Sequence, residues 1–472
     1  MPKRTQKEEA ARPMPTDEHG DELEFEDEFE DEYEEEDVFD ADAMDADDDG
    51  TGDGVAAETE GKLFRAGDTL APDETLDFDS SAYTMLHRLN VEWPFMSFGV
   101  VADTLGAQRV RFPMTAYMVA GTQAEHASQN KLVCMKLSQL AATRHDDDSD
   151  EDGDSDDEVD ADPLVETQTV AHPGTVNRLK LMPGASHVCA TWADTGKVHV
   201  WDLSAPLATL HQPGSAPAGA SQQPLFTFDG HGDEGYALDF SPARAGALAS
   251  GDNANNIHIW SAGAGGTWAV DATPYQGHTA AVEDIQWSPV EGNVLMSCSC
   301  DSTVRVWDVR QKSGAALCVD EGHGVDINVL SWNKQVNYLV ASGADDGSFR
   351  IWDLRTFGSG AAAPVAKFHW HKAAITSIEW SPTESSTIAA SGADDQLTLW
   401  DLALEDDPEA EQAVSGRADL KDIPAQLYFV HQGQRDVKEM HWHPQLPGVI
   451  ASTASDSFHV FKPTNAGDGP SQ

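Results

Sequence analysis

The chain is short of positive charge. Its 29 Lys and Arg stand against 82 Asp and Glu among 472 residues, a formal charge of −53. A field of that sign repels phosphates and argues against direct nucleic acid binding. No stretch approaches the ~20 consecutive apolar residues of a spanning helix, and the N-terminus lacks an apolar signal segment, so neither a membrane span nor secretion is expected. Cysteine is scarce too: Cys134, Cys189, Cys298, Cys300 and Cys318 include no Cys-x-x-Cys, and an odd number fits free thiols in a reducing compartment. The basic cluster "PKR" with Lys7 behind it is a thin nuclear-import signal.

What the chain has in excess is carboxylate. "DELEFEDEFEDEYEEEDVFDADAMDADDD" (21–49) carries nineteen acids and no Lys or Arg, and "DDDSDEDGDSDDEVDAD" (146–162) carries twelve. The remainder is still acidic, with 51 acids against 29 bases, so the natural partner is cationic. Residues 1–75 have little to bury and strong self-repulsion, and are expected to be a disordered Asp/Glu-rich tail. Phe25, Phe29, Tyr33 and Phe39 within it offer apolar footholds for a basic client. Ser149 and Ser155 are candidate phosphosites, with acids one and three residues on; phosphate there would add negative charge.

The folded part is expected at 76–463, followed by a flexible tail at 464–472. It is punctuated by "KVHVWDL" (197–203), "NIHIWS" (256–261), "TVRVWDVR" (303–310), "SFRIWDLR" (348–355), "LTLWDL" (397–402) and "SFHVFKP" (457–463). Trp201, Trp260, Trp307, Trp352 and Trp400 are separated by 59, 47, 45 and 48 residues, with 61 more to Phe461. That is the period of a propeller blade of four antiparallel strands. "NKLVCMKLSQL" (130–140) reads as the final strand of a degenerate first blade starting near Val110. The count is then seven, and the expected fold is an all-β, seven-bladed WD-repeat β-propeller.

His278, His323 and His371 each have an Asp 23 residues on (Asp301, Asp346, Asp394) and a Trp six further (Trp307, Trp352, Trp400). Three identical spacings point to a structural network of carboxylate, imidazole, hydroxyl and indole rather than to acid–base catalysis. His172, His231 and His431 depart from the spacing, so their networks are expected to be built differently or to be weaker.

Ala82, Met85, Leu86 and Leu89 repeat at i, i+3, i+4 and i+7 behind Asp79 and Ser80, predicting a short N-terminal amphipathic helix at about 79–90. The following "VEWPFMSFGVVAD" reads as the outer strand that closes the ring. An acidic loop at 403–426 could face the helix across a groove suited to a basic amphipathic helix, with Leu86, Leu89, Glu405, Asp406 and Asp407 as candidate contacts. A second candidate surface is the channel mouth: Asn177, Tyr236, Glu283 and Asn328 stand five residues after blade-opening His, with Glu234 nearby. The "HWH" and "CSC" pairs lack further ligands at metal spacing, and the Gly-rich "AGAGGT" (262–267) lacks the Lys of a phosphate loop. No catalytic, metal or cofactor site is assigned.

"NVEWPFMSF", "GHTAAVEDIQWSP", "INVLSWNKQVNYLVASGADDGSFRIWDLR" and "LYFVHQGQRDVKEMHWHPQLPGVIASTASDSF" together resemble the glutamate-rich WD-repeat family of eukaryotes. That family is related to the histone-binding WD-repeat chaperones of the retinoblastoma-binding type, and the similarity covers roughly 76–461. The resemblance implies a nuclear, mainly nucleolar, ribosome-biogenesis factor that chaperones a newly made large-subunit ribosomal protein for pre-ribosomal particles. It also implies capacity for histones, through the groove and the top face. A monomer is expected. The "DIP" at 422–424 and the residues before it depart from the histone-binding relatives.

Overall fold

The computed structural model describes residues 79–143, 162–210, 222–319, 323–359, 363–405 and 423–466. The expected disordered tail, most of the two acidic segments, Ser149, Ser155, Asp406, Asp407 and residues 467–472 lie outside them. Seven four-stranded antiparallel sheets form the blades of a propeller. The strands of blade 1 lie within 95–171, blade 2 within 176–228, blade 3 within 237–270, blade 4 within 282–319, blade 5 within 327–369, blade 6 within 375–431, and blade 7 within 439–463 together with 83–89. No described helix is long and apolar enough to cross a membrane.

The segment predicted to be helical is a strand. Ser80–Ala82 make one 3-10 turn capped by Asp79, and Tyr83–Leu89 form β1, which pairs with Phe458–Pro463 and completes blade 7 as its outer strand. A helix of that length is marginal alone, whereas the exposed edge of the last blade offers a full ladder of backbone partners. A bulge after Tyr83 sets Tyr83 and Leu86 on one face, toward blade 6, and Met85 and Leu89 on the other, toward blade 1. An apolar stripe at helical spacing therefore serves both faces of a strand.

Two further boundaries move as a consequence. Phe95–Val100 (β2) is the inner strand of blade 1 rather than the ring-closing strand. Met114–Thr122 (β3), Lys131–Leu140 (β4) and Leu164–Ala171 (β5) follow, so blade 1 begins well before Val110, and 130–140 supplies its third strand. Residues 464–466 are fixed rather than loose: Thr464 N–H donates to Ala82 O at 3.0 Å, and Ala466 is buried.

Each of seven apolar clusters lies between two neighbouring blades. Close approach there depends on glycine: a Cβ on Gly121, Gly251 or Gly343 would sit within 2.3, 2.8 and 2.5 Å of Val176, Val282 and Ile375 of the next blade. Around the channel, inner strands also hand backbone N–H groups to side chains of the preceding blade. Trp287 N–H donates to Asp239, Leu330 N–H to Asp284, Trp380 N–H to Ser331 and Trp442 N–H to Glu379.

Candidate functional site

In blade 4, His278 Nδ1 lies 2.9 Å from Asp301, its Nε2 is 2.7 Å from Ser297 Oγ, and Trp307 Nε1–H donates to that hydroxyl at 2.8 Å. Blade 6 uses Thr398 as the hydroxyl between His371, held by Asp394, and Trp400. In blade 5 His323 contacts Ser348 and Ser342, Trp352 donates to Ser342, and Asp346 accepts the Ser348 N–H. Burial lowers the pKa of His278 and brings that of His323 to about 4, which favours the neutral imidazole in both.

The blades with irregular spacing are not weaker by default. His231, Asp252, Ser250 and Trp260 make the same chain of bonds with a His–Asp spacing of 21. His172 replaces the carboxylate with Gly174 O and reaches Trp201 through Thr191. His431 bridges the Tyr83 hydroxyl at 2.8 Å and His459 at 3.0 Å, tying blade 6 to blade 7 and its closing strand.

At the channel mouth, Asn177 donates to Glu234 at 2.9 Å. Burial raises the Tyr236 phenol, and the nearby Glu234 and Glu283 charges add to the effect. Burial also raises the Glu283 carboxyl, which accepts from Cys300 Sγ at 3.1 Å. These four residues therefore meet on blades 2 to 4, whereas Asn328 stands on blade 5 and donates to Ile375 O. Beside them opens a cleft of about 330 Å3 bordered by Asp194, Asp229, Asp233 and Glu234 around Lys197. Its carboxylates can receive Lys or Arg side chains. The acids of "FDGHGDEGY" signal this cleft in the sequence, but their convergence with Asp194 depends on the neighbouring blade.

The expected groove is rearranged by the loss of the helix. Leu86 and Leu89 face opposite sides of β1, and Glu405 is exposed at the start of the acidic loop. The two described ends of that loop are clamped, with Gln426 Nε2 donating to Leu404 O at 2.8 Å.

Beneath the mouth is a buried ionic knot that sequence reasoning missed. Glu439, 1% exposed, takes Arg178 at 2.9 Å, Lys180 at 3.6 Å and His441 at 3.3 Å, while its other oxygen accepts from Ser97 Oγ and Phe98 N–H. Burial would raise its carboxyl, but His441, Lys180 and Arg178 together hold it well below the usual range. Burial would likewise lower His441, yet Glu439 and Glu379 raise it. The knot joins blades 7, 1 and 2 across the ring closure.

Comparison with known proteins places this architecture. The family model for "Histone-binding protein RBBP4" and its counterpart in the CAF1 complex matches residues 73–141, and the WD domain, G-beta repeat model matches 271–308, 315–353 and 362–401. The chain is 46% identical over 86% of its length to the Glutamate-rich WD repeat-containing protein 1 of Dictyostelium discoideum, covering 85% of that protein. The chain belongs to the glutamate-rich WD-repeat family. Similar relatives include Ribosome assembly protein rrb1 of Schizosaccharomyces pombe, 48% identical over 84% of this chain and 83% of that one. Protein HEAT STRESS TOLERANT DWD 1 of Arabidopsis thaliana is 52% identical over 84% of this chain and 90% of that one. The WD40 β-propeller domain of Doa1 shares the fold, with a TM-score of 0.54 at 14% identity over 81% of this chain and 97% of that one.

Proposed function

We propose that this family member is a non-enzymatic assembly chaperone. It binds and shields a newly made, basic large-subunit ribosomal protein and helps deliver it to pre-60S particles, acting as a monomer in the nucleus, mainly the nucleolus, with capture of the client in the cytoplasm. The observation that carries the reading is the 48% identity to a fission-yeast protein named as a ribosome assembly protein. The charge of −53 supports it physically. Before assembly, the Lys and Arg of such a client lack their RNA phosphates; carboxylate runs can cover them diffusely and yield when denser phosphate competes. The acidic cleft and the Asn177, Glu234, Tyr236 and Glu283 group would add selectivity to that charge.

Recovery of newly made ribosomal proteins on the intact chain, compared with a chain lacking 17–49 and 146–162, tests the proposal. A large-subunit protein should dominate on the intact chain and fall on the shortened one at moderate salt; equal recovery would remove the acidic runs from the mechanism. A second reading, a histone chaperone, is favoured by the histone-binding model over 73–141. Competition between purified histones and the ribosomal client ranks the two.

A further inference from the structure

The buried knot and the channel mouth meet on one strand. Asn177 and Arg178 follow one another on Val176–Leu181, the inner strand of blade 2, and both hold the crossing from blade 2 to blade 3. Asn177 Nδ2 donates to Glu234 Oε2 at 2.9 Å and to Gly235 O at 3.4 Å. Arg178 Nε–H donates to Tyr236 O at 3.1 Å. Three successive residues of the mouth are thus tied to two successive residues of a single strand.

Arg178 is itself fixed from elsewhere in the ring. Its Nη1–H donates to Glu439 Oε1 of blade 7 at 2.9 Å. The other oxygen of Glu439 accepts from Ser97 Oγ at 2.6 Å and Phe98 N–H at 2.9 Å, both of blade 1. Ser97 Oγ in turn accepts the Leu179 N–H at 2.9 Å, which leads back to blade 2. A planar guanidinium has donors in fixed directions, so it can serve Glu439 and Tyr236 O at once. The place of Tyr236 is therefore linked to ring closure.

The same charge acts on the mouth through space. Burial raises the Glu283 carboxyl, and the Cys300 thiol and the Arg178 charge pull it back. Burial and the Glu234 and Glu283 charges raise the Tyr236 phenol, and Arg178 opposes them. Arg178 thus favours an ionised Glu283, the form that attracts a cation.

We propose that Arg178 is a positioning residue for client recognition: anchored by Glu439, it holds Tyr236 and the adjoining Glu234 where they receive a Lys or Arg side chain of the client. This role rests on the reading, made above, that the mouth contacts a basic client, and on no claim about which client it is.

Arg178→Lys keeps a cation beside Glu439 but loses the planar fork that also reaches Tyr236 O. The test is fluorescence anisotropy on the full chain with a short labelled peptide of arginine and glycine, at moderate salt, where diffuse attraction to the carboxylate runs is screened. Glu234→Gln should weaken binding about tenfold, and Arg178→Lys by a similar factor. The two together should cost no more than either alone, because both act through one contact. Tyr83→Phe loosens the same seam away from the mouth and should leave the affinity unchanged while lowering the melting temperature. Fluorine NMR of 3-fluorotyrosine at Tyr236, with no peptide present, should show a shifted resonance in Arg178→Lys and an unshifted one in Tyr83→Phe. Should Arg178→Lys fail to fold, Glu439→Gln removes the charge of the anchor at similar volume and should show the same losses. Affinity lost in Glu234→Gln but kept in Arg178→Lys would overturn the positioning role and leave the mouth as the contact. Equal losses in Arg178→Lys and Tyr83→Phe would make Arg178 a stabilising residue only. Affinity indifferent to Glu234→Gln would overturn both this role and the reading of the mouth beneath it.

Discussion

Blades 3 to 6 and the seam where blade 7 meets blade 1 solve one problem in different ways. The former repeat a local device, a buried His held on one side and linked to an indole through a hydroxyl on the other, within a single blade. Among the described residues, the seam has no such Trp. It relies on a strand brought from the start of the folded region, on Tyr83 bonded to His431, and on Glu439 surrounded by cations from blade 2. A closed ring can be built from repeats, but its closure needs contacts that do not repeat.

The largest effect should come from the knot. Glu439→Leu leaves the partly buried Arg178, Lys180 and His441 without their shared carboxylate, and should cost about 3 kcal/mol in urea unfolding. A loss no greater than that of a regular-blade polar substitution would erase the distinction between seam and repeat. Next is packing common to both regions: Gly343→Ala forces a methyl into Ile375 and should cost about 1–3 kcal/mol. Tyr83→Phe removes one hydrogen bond to buried His431 and should cost about 1 kcal/mol, with fragment release on proteolysis beginning at the seam.

A smaller effect is electrostatic. Burial pushes Asp239, between blades 3 and 4, up to about 7, with the Trp287 N–H and Lys180 pulling it partly back. Between its ordinary value of 3.8 and about 7 the folded chain therefore keeps a proton that the unfolded chain has released, and stability declines as pH rises through that window. Asp239→Asn should flatten the decline and raise the melting temperature at pH 8 by about 2 °C or more. The smallest effect is at the surface: Arg310→Ala breaks an exposed pair with Asp308 and should leave the melting temperature unchanged.

The same contrast governs what was legible in the sequence. The Trp spacing is a local, repeated signal that reveals the propeller, and Phe461 with the degenerate strand at 130–140 completes the count of seven blades. The stripe of Ala82, Met85, Leu86 and Leu89 misled because a bulged strand buried on both faces can imitate helical spacing. At the channel mouth, the register from the blade-opening His located Asn177, Tyr236 and Glu283. It could not reveal that Asn177 reaches Glu234 while Asn328 donates to Ile375 O of the next blade, because those distances depend on how neighbouring blades pack. Arg178 and Glu439, 261 residues apart, carry no mutual signal until the ring is closed.

The central functional claim is that a rigid acidic propeller with carboxylate-rich runs serves one basic client. It is tested most directly by mass spectrometry of proteins co-purified with the full chain at near-physiological salt. The account predicts one large-subunit ribosomal protein in near-stoichiometric amount, above all histones. Histones in excess of every ribosomal protein, or a set of partners unchanged when both acidic runs are converted to amides, would contradict it.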